Sequence, residues 1–481
     1  MLRPRAKAGR QLGKRRASFS SIWWRLFCVS VSMARANNIV PYSQTDDALF
    51  LSEFETLTAD SHVAMLPQDL HEECASGSAG QELAVDLPSI TVRSGEVSAA
   101  DLMELCGVSS VCIVPPGSTL RMTSSINVAA LVIEGILLWD DSTQSMDDQW
   151  LCAGYVAIER DGQFNLNVVQ SRAWVYIKNN GEQHDILGSR AFGSVGGYIR
   201  VRGKPLQRTF SLLALPADRG ATNIQLLHDP VAMGWVVGDR IAIAPTTSGS
   251  GGTADARTIT AIDSSGTLTL SSPTTQAFEA TLLPDALRSA EVVLLTRNVI
   301  ITGDDFSHEG GKTIGLHTVG MYSGTIQIEH ARIEKCGQRG ILGKYCLHFH
   351  LLRDCADCRF VGNAVEFGMQ RGIVIHGTHR STVQSNVIYD VRGASIYIED
   401  GNERDNRLLY NVAICPWSRE GPKRGCTVPG TDNNEADTSL NQAGMWCVRE
   451  HVSSVRAGAH ASTLYPCRSH NVALSCAGHS L

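Results

Sequence analysis

Four five-residue stretches share one pattern: Thr325-Ile326-Gln327-Ile328-Glu329, Cys346-Leu347-His348-Phe349-His350, Gly372-Ile373-Val374-Ile375-His376 and Ser395-Ile396-Tyr397-Ile398-Glu399. Each has an apolar residue at its second and fourth positions, the alternation of a strand with one buried and one exposed face. Their last residues, Glu329, His350, His376 and Glu399, are spaced by 21, 26 and 23 residues. A repeat a little above twenty is the turn length of a parallel β-helix, in which each coil stacks on the one before. With neighbouring strands about 4.8 Å apart, these four side chains are expected to form one outward ladder. Gln327, His348, Val374 and Tyr397 would form a second column beside it. Imidazoles next to carboxylates suit general acid–base work on a glycosidic bond or a His/carboxylate metal site. The structural alternative is a polar ladder that merely pairs with a covering loop or hairpin.

The rest of the chain fits an all-β reading. Aromatic residues are 6% of the 481, glycines number 44, and 43% of residues are hydrophobic. That balance suits a turn-rich β protein with an ample core. The clearest short helical candidate is Ser98 to Cys106.

Charge is segregated. Residues 1–36 hold nine Lys or Arg and no acid, leaving 33 basic against 48 acidic residues, a formal charge near −15, in the remainder. An acidic body argues against nucleic-acid binding. The basic start, the apolar stretch Ile22 to Met33 and the small-x-small Ala34-Arg35-Ala36 read as a signal peptide or basic targeting segment over 1–36. Later windows lack eighteen uninterrupted apolar residues, so membrane association is expected only through regions absent from this chain.

Fourteen cysteines favour an oxidising compartment and a secreted or cell-surface location. Cys106 with Cys112, and Cys415 with Cys426, are expected as local disulfides. Cys355-Ala356-Asp357-Cys358 has zinc or redox spacing, but without a second such pair it reads as two turn cysteines, buried or paired elsewhere.

Strand–glycine–strand units recur from Val111 onward, as in Leu131 to Asp141 and Gly196 to Gly203. With Val114-Pro115-Pro116-Gly117 and Gly188-Ser189-Arg190-Ala191-Phe192-Gly193, this block resembles the eight-glycine (G-eight) domain. Val237 to Ala244 resembles the small β insert that follows it, and Ala290 to Val299 the entry into a β-helix. Gly343 to His350, Gln370 to Thr378 and Tyr397 to Glu403 continue the likeness, which covers about residues 105–445. The nearest relatives look like fibrocystin-like surface proteins; cell-surface and cell-migration-inducing hyaluronidases are more distant.

The expected architecture is a right-handed parallel β-helix preceded by a glycine-rich β domain. A loosely ordered leader is expected over 37–104, the eight-glycine-like domain over 105–230 and the insert over 231–290. The β-helix is expected over 291–445, and an irregular tail, read as a gene-model artefact, over 446–481.

Two functions follow from the resemblance. One is a surface protein binding a polysaccharide or glycosaminoglycan. The other is a depolymerase of an acidic glycan such as hyaluronan, with His348, His350, His376, Glu399 and Arg190 as catalytic candidates. The hyaluronidase resemblance also implies calcium, held by Glu399, Asp400 and Glu403. Arg339, Arg371 and Arg392, each before a glycine, form a cationic stripe or bond to loop carbonyls at coil corners. Phosphate loops, nucleophile elbows and His-Glu-x-x-His helices are absent from the sequence.

Overall fold

The computed structural model describes residues 87–416 except 144–145, 247–252, 284–285 and 310–311, with Leu70, Cys74 and the strands Met445–Val448 and Asn471–Leu474. The targeting segment and most of the leader lie outside the described residues. Three parallel sheets wind through these residues, each coil contributing one strand to each sheet. The first sheet runs through Ala191–Val195, His317–Met321, Leu347–Asp354, Ile373–His379 and Ile396–Ile398. The second runs through Tyr198–Arg202, Thr325–Glu329, Arg359–Val361, Thr382–Gln384 and Arg407–Leu409. The third runs through Val299–Gly303, Ala331–Cys336, Ala364–Gly368, Val387–Val391 and Val412–Ile414.

This is the parallel β-helix expected from the alternation. The glycine-rich segment precedes the later coils in the same stack: Ala191 pairs with His317, and Tyr198 with Thr325. The chain between those coils folds as the insert, whose six-stranded antiparallel sheet spans Phe210 to Leu294. Its start lies upstream of residue 231. It has its own core around Trp235 and Phe278. It also packs on the third sheet, where Ala242, Val293 and Leu295 share one buried cluster with Val387, Tyr389 and Val412.

Alternation explains the interior. Leu347, Phe349, Ile373, Ile375, Ile396 and Ile398 point inward into one continuous apolar core. The Phe349 and Phe360 rings stack there at 4.0 Å. Each such side chain contributes about 1.5–3 kcal/mol on burial. Glycine is needed where coils turn tightly. A Cβ at Gly162 would lie 2.1 Å from the Ile133 carbonyl oxygen, and one at Gly197 2.3 Å from that of Glu159.

The two ends differ from expectation. Part of the leader is structured: Ser89–Thr91 and Glu96–Ser98 are strands, followed by the helix Ala99–Cys106. Ser98 and Asp101 close a capping box at the helix start. Residue 446 does not end the coils, because Met445–Val448 pairs in parallel with Ile396–Ile398.

Disulfides join Cys74 to Cys152, Cys106 to Cys112, Cys336 to Cys346 and Cys355 to Cys358. The Cys106–Cys112 pair was expected. Cys355 and Cys358 are buried in their turn, as expected, and bond to each other across it rather than to other cysteines, their Cα atoms 5.3 Å apart. Cys415 is disulfide-bonded, and Cys426 lies outside the described residues. Among the described residues no helix is long and apolar enough to cross a membrane.

Candidate functional site

Register decides which side chains stack. His348 pairs with Val319 on one side and Val374 on the other, and Val374 pairs with Tyr397. His350 pairs with His376, and the pairing of Ile375 with Ile398 places Glu399 beside His376. Three members of the expected ladder therefore stand on successive coils of the first sheet.

Glu329 and Gln327 do not. Their strand belongs to the second sheet and pairs with Arg359–Val361. Glu329 forms an ion pair with Arg359 at 2.7 Å, and Gln327 donates to the Asp357 carbonyl at 3.0 Å. All three strands of a coil can alternate, so period two alone does not say which sheet a strand joins.

The outward face gathers three imidazoles. One ring nitrogen from each of His348, His350 and His376 lies within 4.8 Å of the other two. The Nδ1 atoms of His350 and His376 are 3.2 Å apart. His348 Nδ1 donates to the Gly343 carbonyl at 3.0 Å, which fixes its tautomer and leaves the lone pair on Nε2. That Nε2 is buried with no hydrogen-bond partner among the described residues. Burial first, then the neighbouring imidazoles of His350, His376 and His317, holds His348 well below the ordinary imidazole pKa, against the smaller opposing effect of its bond to the Gly343 carbonyl. Burial chiefly, then His376 and Lys344, lowers His350 as well. Both rings are therefore neutral near pH 7.

Carboxylates complete the cluster. His376 Nε2 lies 3.3 Å from Asp400 Oδ2, and its Nδ1 lies 3.7 Å from Glu399 Oε2. The other Glu399 oxygen takes the Tyr345 hydroxyl and Arg371 Nη1, each at 3.3 Å. Arg371 also donates to the Tyr345 hydroxyl at 2.8 Å, and its guanidinium lies 3.8 Å from the Tyr397 ring centre. Buried at 1% exposure, Arg371 orients Glu399 from behind. The Cys336–Cys346 disulfide ties down the loop that carries Gly343, Lys344 and Tyr345. Tyr345 was not singled out in the sequence; its place directly before Cys346, two residues ahead of the His348 strand, was the available signal.

The remaining expected residues are placed elsewhere or otherwise engaged. Arg190 is buried and gives its guanidinium to the carbonyls of Asp304, Asp305 and Ile314. Those bonds clamp the backbone of the next coil. Glu403 Oε1 accepts the backbone N–H groups of Gly377 and Asp400 at 2.9 and 3.1 Å, holding a turn. Glu399 and Asp400 both face His376 while Glu403 holds the turn, so among the described residues these three carboxylates are not gathered into one group of the kind that calcium takes. Arg392 pairs with Asp390 at 3.2 Å, so with Arg371 buried the arginines do not line up as an exposed cationic stripe.

Comparison with known proteins agrees with this architecture. Residues 313–472 match the CEMIP beta-helix. That match extends past Trp446. Human Fibrocystin-L is 27% identical over 357 residues, and mouse Fibrocystin-L 31% over 357, each alignment covering 63% of this chain. A G8 domain-containing protein of Dictyostelium discoideum is 26% identical over 398 residues, covering 80% of this chain and 34% of its own length. The chain spans only 8% of Fibrocystin-L. The tailspike gp49 from Pseudomonas phage LKA1 covers 53% of this chain and 42% of its own at 14% identity, with a TM-score of 0.18. The fold rests on the strand pairing above and not on that weak likeness.

Proposed function

We propose that this is a secreted or cell-surface protein of the fibrocystin-like type that binds polysaccharide on the first-sheet face around His350, His376, Glu399 and Asp400. One observation carries the reading: these four polar side chains are part-exposed, at 22%, 19% and 39% for His376, Glu399 and Asp400, over a rigid buried support. Neutral imidazoles and carboxylates both exchange hydrogen bonds with sugar hydroxyls. The disulfides support an oxidising location.

The same arrangement favours a second reading, a hyaluronidase-like depolymerase. Glu399, with its free oxygen beside His376, would work as the acid–base group, and His376 would relay its proton to Asp400. Arg190 has no part in this reading, because its guanidinium is consumed by backbone carbonyls.

A panel of size-resolved neutral and acidic polysaccharides, incubated with the purified protein with and without calcium, tests both. Retention of a polysaccharide by wild type, lost in His350→Ala and His376→Ala, is the expected result. Shortening of the chains selects the depolymerase instead. Binding that survives both substitutions, or no binding to any polysaccharide, would remove this face from the proposal.

A further inference from the structure

We infer that His348, His350 and His376 form a binding site for a transition-metal cation of the zinc class, with Glu399 or a water as fourth ligand. Nitrogen donors select this class; calcium and magnesium take oxygen. Zinc–nitrogen bonds of about 2.0–2.1 Å in tetrahedral geometry place neighbouring ligand nitrogens about 3.3 Å apart. The Nδ1 atoms of His350 and His376 already stand at 3.2 Å.

Lone-pair direction points the same way. Donation by His348 Nδ1 to Gly343 leaves Nε2 as its ligand atom, and that atom is buried, in a side chain only 1% exposed, with no hydrogen-bond partner among the described residues. Asp400 Oδ2, 3.3 Å from His376 Nε2, favours the proton on that nitrogen and leaves Nδ1 as the ligand atom. A backbone carbonyl and a carboxylate behind two of the imidazoles are the outer partners that metal-bound histidines commonly have. Glu399 Oε2, also buried and unpartnered, lies 3.7 Å from His376 Nδ1. Without a cation, the site buries two acceptors unsatisfied, an arrangement that costs stability. Two cations are near: Lys344 donates to the Leu187 carbonyl, and Arg371 to Glu399 and Tyr345. The carboxylates of Glu399 and Asp400 offset their charge at the cluster.

This inference is independent of glycan binding, and its readout is metal stoichiometry. The full chain, stripped with a chelator, is titrated with Co2+ while visible d–d absorption is followed, then with Zn2+ in competition and Ca2+ in excess. One Co2+ per chain is expected, with the intense bands of a tetrahedral site, displaced by Zn2+ and indifferent to Ca2+. His350→Ala and His376→Ala should each lose the bands, and Asp400→Asn should weaken affinity by about 10–100-fold. His379→Ala should keep them, since His379 Nδ1 accepts the Arg404 amide outside the cluster. Circular dichroism monitors folding. If a histidine variant misfolds, Asp400→Asn, on an exposed turn, decides in its place. A wild-type chain that binds no Co2+ or Zn2+, or folded variants that bind as wild type does, would overturn the site.

Discussion

Two polar columns climb the same stack of coils and differ in how completely they are satisfied. At the corner between the second and third sheets, Asn363, Asn386 and Asn411 sit one above another, buried. The Asn363 amide N–H donates to Asn386 Oδ1, and that of Asn386 to Asn411 Oδ1, both at 3.0 Å. Their side-chain amides donate in turn to the carbonyls of Ile328, Phe360 and Val383. On the first sheet, His350, His376 and Glu399 also stack coil on coil, yet Glu399 Oε2 and the neighbouring His348 Nε2 have no hydrogen-bond partner among the described residues. A column that closes all its own hydrogen bonds specifies the fold. One that leaves acceptors open is arranged for something besides folding.

The largest expected effect is on the asparagine column. Asn386→Leu keeps the volume but strands the Asn363 amide N–H in the interior, and it removes the side-chain bonds to the Phe360 carbonyl and Asn411 Oδ1. At about 1–3 kcal/mol for each buried group left unpaired, a loss of about 4 kcal/mol is expected. Urea unfolding followed by circular dichroism measures it. A loss below about 1 kcal/mol would mean that the corner relaxes, and the contrast between the columns would fail.

Much of this was legible in the sequence. Alternation assigned Leu347 and Phe349 inward and His348 and His350 outward, because a side-chain period of two leaves no other choice. The stacking of His350, His376 and Glu399 followed from their spacing. Glu329 was misplaced since coil length varies, and 21 residues back from His350 falls on the second strand of the preceding coil. The asparagine column was missed although its own spacing, 23 and then 25 residues, repeats the coil. The contacts of Tyr345 and Arg371 with Glu399 depend on how a disulfide-closed loop folds back, which no periodicity encodes.

A buried imidazole in the structural corner sharpens the comparison. His330, directly before Ala331, accepts the Leu206 amide through Nδ1 at 3.4 Å. Burial first, then Arg297 and Arg202, lowers its pKa to about 3 from 6.5. In the unfolded chain it takes up a proton near pH 6.5; in the fold it resists until about 3. The unfolded state therefore binds more protons, and stability falls as pH drops across that window. His330→Asn should flatten this part of the profile relative to wild type, in denaturant midpoints collected from pH 7 to pH 4. Parallel profiles for the two proteins would show that His330 is already charged in the fold.

The smallest expected effect is at the ladder itself. His350 is part-exposed, and its contacts are with the rings of His348 and His376. Replacing it with alanine removes one shared proton at Nδ1 and leaves the inward residues Leu347 and Phe349 in place. The outward neighbour Leu351 is exposed, so the coil does not lean on this side chain for core packing. In metal-free protein His350→Ala should therefore change stability by less than about 1 kcal/mol, several-fold less than Asn386→Leu. Both are read from the same urea transitions. A loss for His350→Ala as large as for Asn386→Leu would place the histidines among the groups that hold the coils together, and the unsatisfied nitrogens would then need a structural account. Near-neutrality would instead leave a stacked set of imidazoles that the fold positions without depending on it.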